Sequence, residues 1–209
     1  MSILKDIFKR FKDVKVLIVG DIMLDSYIYG DVNRISPEAP VPILSKTEES
    51  FKLGGAGNVA LNCKALGVEP TIISYIGDDS YGKKISELLE NSNIKYYMIS
   101  NGKPTTVKKR IISGNTHLLR IDIEDTKDIK DLREEVLRYY IKEIVNNDVV
   151  ILSDYNKGLL TDENICHLIE IAKDNDKIVA VDPKINNFDS YEGVDLFKPS
   201  YLGLFASED

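Results

Sequence analysis

Four aspartates stand where short apolar runs end. Asp21 follows Val14–Val19 and Gly20, Asp78 follows Thr71–Ile76 and Gly77, Asp154 follows Val149–Leu152 and Ser153, and Asp182 follows Ile178–Val181 directly. Carboxylates placed this way can accept hydrogen bonds from sugar hydroxyls or hold a magnesium ion through water. Any one of them could equally be a turn or helix-capping residue; four in the same kind of position are harder to dismiss. The second chemical feature is Leu53-Gly54-Gly55-Ala56-Gly57-Asn58-Val59-Ala60. Its small residues let a ligand approach the backbone, and a helix starting there offers amide N–H groups. Gly55 to Ala60 also fits the dinucleotide pattern G-x-G-x-x-A, but that pattern needs an apolar strand just before it, and Glu48-Glu49-Ser50-Phe51-Lys52 stands there instead. A phosphate-binding P-loop is excluded, because no Gly-Lys-Ser/Thr follows. Close helix–sheet packing stays open beside a substrate cradle, which the small residues favour.

The apolar runs that deliver the aspartates read as strands covered on both faces. Helical patterns alternate with them over Gly55–Leu66, Tyr81–Glu90, Asp131–Val145 and Thr161–Lys173. Buried strands alternating with helices predict a parallel α/β sheet, whose ligands bind at the carboxyl ends of the strands. Residues 1–13 predict a short helix with Ile3, Leu4, Ile7, Phe8 and Phe11 on one side, packed on the domain edge. Two segments break the rhythm. Residues 26–53 alternate apolar and polar around Pro37, Pro40 and Pro42. Residues 95–123 hold strand-like runs at Lys95–Ile99, Val107–Ile112 and Leu118–Ile123, with turns at Asn101-Gly102 and Ser113-Gly114-Asn115. Asn-Gly is a hairpin signal, so both segments are expected to be antiparallel strands standing off the main sheet as a lid.

The chain has 209 residues, 43% apolar and 29% charged, which suits one globular domain and excludes collagen-like or disordered chains. Its net charge of −7 argues against a nucleic-acid binder, which would carry a basic face. Cys63 and Cys166 have no partner at metal spacing and read as reduced thiols. Two histidines make a Ser-His-Asp site or a histidine-rich metal site a poor expectation, and no metal site is assigned. No signal peptide or membrane-length run is visible, so the cytoplasm is the default location.

Gly54-Gly55-Ala56-Gly57-Asn58-Val59-Ala60, with Gly67 and Gly77 at their spacing, resembles the first signature of the ribokinase-like (PfkB-type) carbohydrate kinases. Within that family, four stretches are similar to the heptose-7-phosphate kinases of ADP-heptose synthesis: Gly20-Asp21-Ile22-Met23-Leu24-Asp25, Arg34 to Pro42, Ser153-Asp154-Tyr155-Asn156-Lys157-Gly158 and Asp182-Pro183-Lys184. The resemblance runs from about Val14 to Pro199. It implies a three-layer α/β sandwich of Rossmann type with a mainly parallel central sheet and a protruding β lid, which in this family often also makes a homodimer interface. It implies a sugar phosphate as substrate, with ATP and Mg2+ in the intact enzyme. Asp25 would bind sugar hydroxyls, Gly54 and Gly55 would lie against the sugar, and Asn58 would bond another hydroxyl. Asp154, Lys157 and Lys184 would line the floor between sugar and nucleotide, with Ser200 on the nucleotide side. A sugar phosphate needs cations focused in an acidic protein. The candidates are Arg34, Lys108, Lys109, Arg110, Arg120, Lys157 and Lys184, with Arg110 and Arg120 on lid strands.

The pattern then departs from the family. The family's second half carries a Gly-Ala-Gly-Asp motif whose aspartate is the catalytic base, and no such sequence occurs here. Where the family has Lys-Pro-Asn-x-x-Glu, this chain has Lys198-Pro199-Ser200-Tyr201-Leu202-Gly203. The expectation is therefore a partial kinase domain with no catalytic residue of its own. The carboxyl-terminal part of the fold would be missing, one sheet edge would be uncovered, and the chain would tend to self-associate. A sugar-binding remnant and another PfkB-type sugar kinase are the alternatives.

Overall fold

The computed structural model describes residues 2–100, 102–125 and 133–200. The main sheet has six parallel strands in the order β10-β9-β8-β1-β4-β5: β1 (Lys15–Gly20), β4 (Glu69–Ile76), β5 (Lys95–Ser100), β8 (Val149–Ser153), β9 (Ile178–Asp182) and β10 (Leu196–Phe197). Strand β1 lies near the middle because its run can face apolar neighbours on both sides. Leu17, Ile18 and Val19 are all fully buried, each contributing about 1.5–3 kcal/mol of hydrophobic stabilisation. Leu17 and Val19 join the core beneath α4 (Arg133–Ile144) and α5 (Asp162–Asp174). Val16 and Ile18 join the core beneath α2 (Ala56–Ala65) and α3 (Ser80–Asn91). The result is the parallel α/β sheet that the strand–helix alternation predicts, covered on both faces as the three-layer sandwich the family resemblance implies.

Local chemistry sets the helix starts. Asp79 caps α3, its carboxylate accepting the amides of Tyr81 at 3.0 Å and Gly82 at 2.8 Å. Thr161 caps α5. The first helix, α1 (Ser2–Arg10), differs from expectation. Leu4, Ile7 and Phe8 are exposed, while Phe11, in the 3-10 turn that follows, packs against the core; the Ile3 side chain lies outside what is described. The four expected helices otherwise lie where their periodicity puts them, although Asp131 and Leu132 fall outside the described residues.

The lid is a second, four-stranded sheet in the order β3-β2-β6-β7: β2 (Ile22–Ile35), β3 (Pro42–Gly55), β6 (Val107–Ser113) and β7 (Thr116–Ile123). Two expectations are corrected here. Residues Lys95–Ser100 are not part of the lid; they form the outer parallel strand of the main sheet, beside β4. The physical reason is legible afterwards. Tyr96 and Met98 pack into one core while Tyr97 and Ile99 pack into the other, so this strand is apolar on both faces. The expected hairpin at Asn101-Gly102 therefore does not join β5 to β6, and Asn101 itself lies outside the described residues. The lid is also not wholly antiparallel, since β2 and β6 pair in parallel. The turn at Ser113-Gly114-Asn115 does join an antiparallel pair, β6 and β7.

On the α2 side, cover thins out toward β9 and β10. Val149 and Ile151 are half-buried, while Ile178 (55% exposed) and Leu196 (57%) face solvent. Across the sheet, Lys95 and the Tyr97 hydroxyl bond the buried Glu143 carboxylate of α4 at 2.6 and 2.7 Å. Burial opposes its charge, but these two bonds outweigh it and hold Glu143 below the usual carboxylate range. That contribution to stability is fully present above the ordinary value near 4.5 and is lost as pH falls through the lowered one. In urea melts between pH 7 and pH 3, Tyr97→Phe is expected to lose stability at pH 7 and to converge on the parent at the acid end.

The bend between lid and helix is fixed by glycine. Gly55 has φ 56° and ψ −133°, a conformation open to glycine alone, and a Cβ there would sit 2.3 Å from the Asp21 carbonyl oxygen. A Cβ on Gly54 would instead meet side chains, Asp25 Oδ2 at 2.7 Å and Met23 Cγ at 2.8 Å. Gly55→Ala is expected to destabilise the fold by about 2–4 kcal/mol in urea unfolding. Gly54→Ala is expected to cost about 1–3 kcal/mol, because Met23 is buried and Asp25 is held by Arg110, so side chains must shift but no backbone does.

Candidate functional site

Asp21 is the residue at which the chain leaves the main sheet for the lid. Its backbone N–H donates to the Ser153 carbonyl at the end of β8, 3.1 Å away, and its carbonyl accepts the amide of Ala56, 2.9 Å away, at the start of α2. That second bond, rather than a side-chain cap, occupies the first turn of α2. The glycine bend is thereby pinned beside the first residues of β2, where Met23 pairs with Gly54 and Asp25 with Lys52.

A cavity of about 540 Å³ opens between this bend and the lid. Asp25, Gly54, Gly55, Asn58 and Arg110 all line it. Alternation along β2 and β6 brings Asp25, Tyr27, Lys108 and Arg110 to one lid face, because Asp25 stands opposite Lys108 and Tyr27 opposite Arg110. Arg110 Nη1 donates to Asp25 Oδ1 at 2.5 Å. Burial works against the guanidinium charge, but the bond and charge of Asp25 more than compensate and raise its pKa. Asn58, in the first turn of α2, adds an exposed amide with both donor and acceptor.

Further lining residues complete the site. Lys52 and Lys108 reach the cavity, and neither makes an ion pair within 4 Å among the described residues. Lys52 Nζ lies 5.2 Å from the centre of the Tyr27 ring, and Lys108 Nζ 5.9 Å from that of Tyr155. Burial, and then the charge of Lys157, lowers the pKa of Lys108. Lys108 is among the cations that the sequence singles out; Lys52, Tyr27 and Tyr155 are residues that sequence reasoning misses. The signal for Lys52 is its period-two spacing from Gly54 along a lid strand, which puts it opposite Asp25. Lys52, Lys108 and Arg110 against Asp25 leave a net excess of positive charge in a chain whose total is −7. An anion carrying hydroxyl groups suits that lining.

Other singled-out residues lie elsewhere. The Asp154 carboxylate is taken up by the protein, accepting from the amide of Asn156, the amide of Lys184, Asn187 Nδ2 at 2.8 Å and the Tyr191 hydroxyl at 2.9 Å. It lines no part of the cavity. Lys157 Nζ pairs with Glu124 at the end of the lid, 2.8 Å away, instead of pointing into the cavity. Arg120 is exposed and pairs with Asp122 at 3.0 Å. Lys184 is exposed, with Nζ 5.4 Å from the centre of the Tyr155 ring. Ser200 is exposed and ends the described residues. Arg34 is exposed near the lid tip, and Lys109 lies on the opposite lid face, over the Tyr81 ring.

The four strand-end aspartates share an edge but no site. Asp182 faces Lys198, and Asp78 lines a separate groove with Asp79, Glu87 and Glu90, whose charge repels an anion. Among the described residues no group of three or more His, Cys, Asp or Glu side chains could hold a metal ion. Nor is any described helix long and apolar enough to cross a membrane.

Comparison with known proteins bears on the same features. The chain is 40% identical over 187 residues to the "Bifunctional protein HldE" of a Nitratiruptor species, an alignment covering 89% of this chain and 40% of that protein. It is 37% identical over 209 residues to the protein of the same name from Hyphomonas neptunium, covering 99% of this chain and 43% of the relative. The chain thus spans about two fifths of the length of the curated relatives it matches. Among solved structures, a carbohydrate kinase from Agrobacterium tumefaciens superposes with a TM-score of 0.68 at 20% identity, over 88% of this chain and 60% of that one. The tetrameric inhibited form of phosphofructokinase-2 from Escherichia coli gives a TM-score of 0.69 at 19% identity, over 91% and 62%. At those identities the structures attest the fold, which is the ribokinase-like one. The sequence pattern described as pfkB family carbohydrate kinase matches residues 13–201, and with it the glycine bend, the lid and the cavity between them. The chain belongs to the pfkB family of carbohydrate kinases.

Proposed function

We propose that the cavity binds a sugar phosphate, and that the substrate is a heptose 7-phosphate. The observation that carries this reading is the cavity's charge pattern: one carboxylate and one amide suited to hydroxyls, beside cations in excess. Asp25 accepts sugar hydroxyls, and the backbone at Gly54 and Gly55 lies flat against the ring because no Cβ intervenes. Arg110 is already committed to Asp25, so it acts mainly by holding that carboxylate in place. Lys52 and Lys108, with no carboxylate within ion-pair distance among the described residues, are the groups left to neutralise the phosphate. The similarity to proteins named HldE supports a heptose over other sugars.

In the intact kinase the anomeric hydroxyl would attack the γ-phosphate of ATP in line. The new bond is O1–P, the bond from phosphorus to the ADP oxygen breaks, the O1 proton passes to a base, and the products are the 1,7-bisphosphate and ADP. ATP arrives as the magnesium complex in this family. The described residues offer no carboxylate cluster fitted to hold that metal, so no step is assigned to it here. Phosphoryl transfer depends on groups placed around the moving phosphoryl, and the 209 residues contain no Gly-Ala-Gly-Asp sequence to supply a base. The chain on its own is therefore assigned binding of the sugar phosphate without turnover.

Isothermal titration of the chain with heptose 7-phosphate, beside an ATPase assay, tests the reading. Binding with no ATP hydrolysis is expected; turnover would show that a base lies among these residues after all. Lys108→Ala and Lys52→Ala are each expected to weaken heptose 7-phosphate binding about 10- to 100-fold, the range of a charge-assisted hydrogen bond. The same variants should change the affinity of unphosphorylated heptose less than about twofold. Asp25→Asn should weaken both ligands alike.

We also propose a homodimer through the lid. Leu119 and Ile121 are exposed on the β7 face turned away from Arg120. In sedimentation velocity, Leu119→Asp with Ile121→Asp is expected to give monomer. Ile178→Asp, on the uncovered face of the main sheet, should leave the dimer intact.

A further inference from the structure

Asp21 makes no direct contribution to the lining of the sugar-phosphate cavity beside the lid. It is fully buried, where a charge is costly unless it is bonded. An uncharged residue of the same size would carry the backbone bonds to Ser153 and Ala56 equally well. The carboxylate is used differently. Its Oδ2 accepts the amide of Tyr155 at 2.9 Å and that of Lys157 at 3.1 Å, while Oδ1 has no hydrogen-bond partner among the described residues. The turn so held has Asn156 in the left-handed region, with φ 53°. Of its outer side chains, Tyr155 lines the cavity, while Lys157 ties the turn to Glu124 at the base of the lid.

We propose that Asp21 is a positioning residue for the sugar-phosphate pocket, its carboxylate fixing the 155–157 turn so that the Tyr155 ring forms the pocket wall beside Lys108. This rests on the sugar-phosphate reading above. The Tyr155 ring lies close to Lys108 Nζ and Lys184 Nζ, at 5.9 and 5.4 Å. A shift of the turn therefore moves an aromatic surface and two cations together. The carbonyl of the same Asp21 holds the glycine bend through Ala56. One residue thus sets two parts of the pocket, the bend by its backbone and the tyrosine by its side chain.

The protonation of Asp21 supplies a test. Burial lifts its pKa to about 6, against the pull of the backbone amides of Tyr155, Lys157 and, least, Leu159, and the charge of Asp154 adds to the rise. The other titratable groups bearing on it are Tyr75 from β4, Tyr191 from the 3-10 turn after β9, Tyr155, and Lys157 with its partner Glu124. Above about pH 6 the two amides meet a carboxylate, and below it a neutral acid, which is the weaker acceptor. Because the folded pKa is raised, stability from this group is present below its ordinary value and lost as pH rises through 6. Positioning and stability therefore pull in opposite directions.

The experiment compares the full chain with Asp21→Asn, which keeps the size and an acceptor oxygen. Heptose 7-phosphate affinity is expected to fall about tenfold in the variant at pH 7.5 and to match the parent at pH 5. The ligand's own phosphate ionisation cancels in that ratio. The melting temperature at pH 7.5 should be unchanged or higher, which a purely structural role would not give. In a Tyr155→Ala background the same substitution should cost less than twofold. A ratio that stays flat with pH, or an equal loss in both backgrounds, overturns the proposal. A second measurement needs no sugar: the amide protons of Tyr155 and Lys157 in the unmutated, ligand-free chain should titrate together with a midpoint near pH 6. Amides that do not move between pH 4.5 and 8 overturn the proposal, even if Asp21→Asn fails to fold. Absence of sugar-phosphate binding by the parent would remove the functional reading, while the amide titration would still decide the role of Asp21.

Discussion

The geometry of this molecule depends on a single crossing. At Asp21 the chain steps from the central strand of a parallel sheet into the first strand of a separate lid. Three elements meet there: the end of β8 through Ser153, the start of α2 through Ala56, and the turn after β8 through Tyr155 and Lys157. Neighbouring glycines make the meeting possible. A Cβ on Gly20 would sit 2.2 Å from the Ser153 carbonyl, and one on Gly55 2.3 Å from the Asp21 carbonyl. The lid's attitude to the sheet is thus set by backbone contacts too close for any side chain. The cavity follows from that attitude, since its floor belongs to the crossing and its wall to the lid.

Charge is managed in two opposite ways around this crossing. Behind the cavity, Asp154 is surrounded by donors, and its carboxylate stabilises the loop and the 3-10 turn that carry Lys184 and Tyr191. Inside the cavity, cations outnumber carboxylates, and two lysines are steadied by tyrosine faces instead of by acids. An aromatic face holds a cation more loosely than an ion pair does, and leaves its donors available. An acidic protein can then present a local positive field to an anionic ligand without a broad basic surface.

Much of this is legible in the sequence. The apolar runs, the helix periodicity and the glycine signature point to the parallel sheet, the lid segment 26–53 and the bend, while the family resemblance points to Asp25 and Asn58, and the need for cations to Arg110 among seven candidates. What escapes has physical causes. Lys95–Ile99 looks like a lid strand because an Asn-Gly pair follows closely. Its apolar character on both faces is the better signal, and main-sheet pairing overrides the turn preference. Lys52 escapes because a lysine in a strand reads as a solvated charge until its cross-strand partner is known to be Asp25. Asp154 and Lys157 follow a strand as active-site residues do, but the side chains turn to partners that no local pattern announces: Asn187 and Tyr191 from a later 3-10 turn, and Glu124 from the lid.

Asp21 and Asp154 show why position alone cannot assign roles. Both end a central strand, both are buried, and both read as candidates for the same edge. They differ in what their carboxylates meet. Asp154 meets two amides, a side-chain amide and a hydroxyl, with donors at both oxygens. Asp21 meets two amides at one oxygen and a neighbouring negative charge, so burial is only partly offset and its pKa rises to about 6. A protein selecting for stability alone would have little reason to keep a charge in the second setting. Its presence at the one residue that touches the sheet, the bend and the tyrosine wall favours a role in holding the pocket's shape over a role in holding the fold.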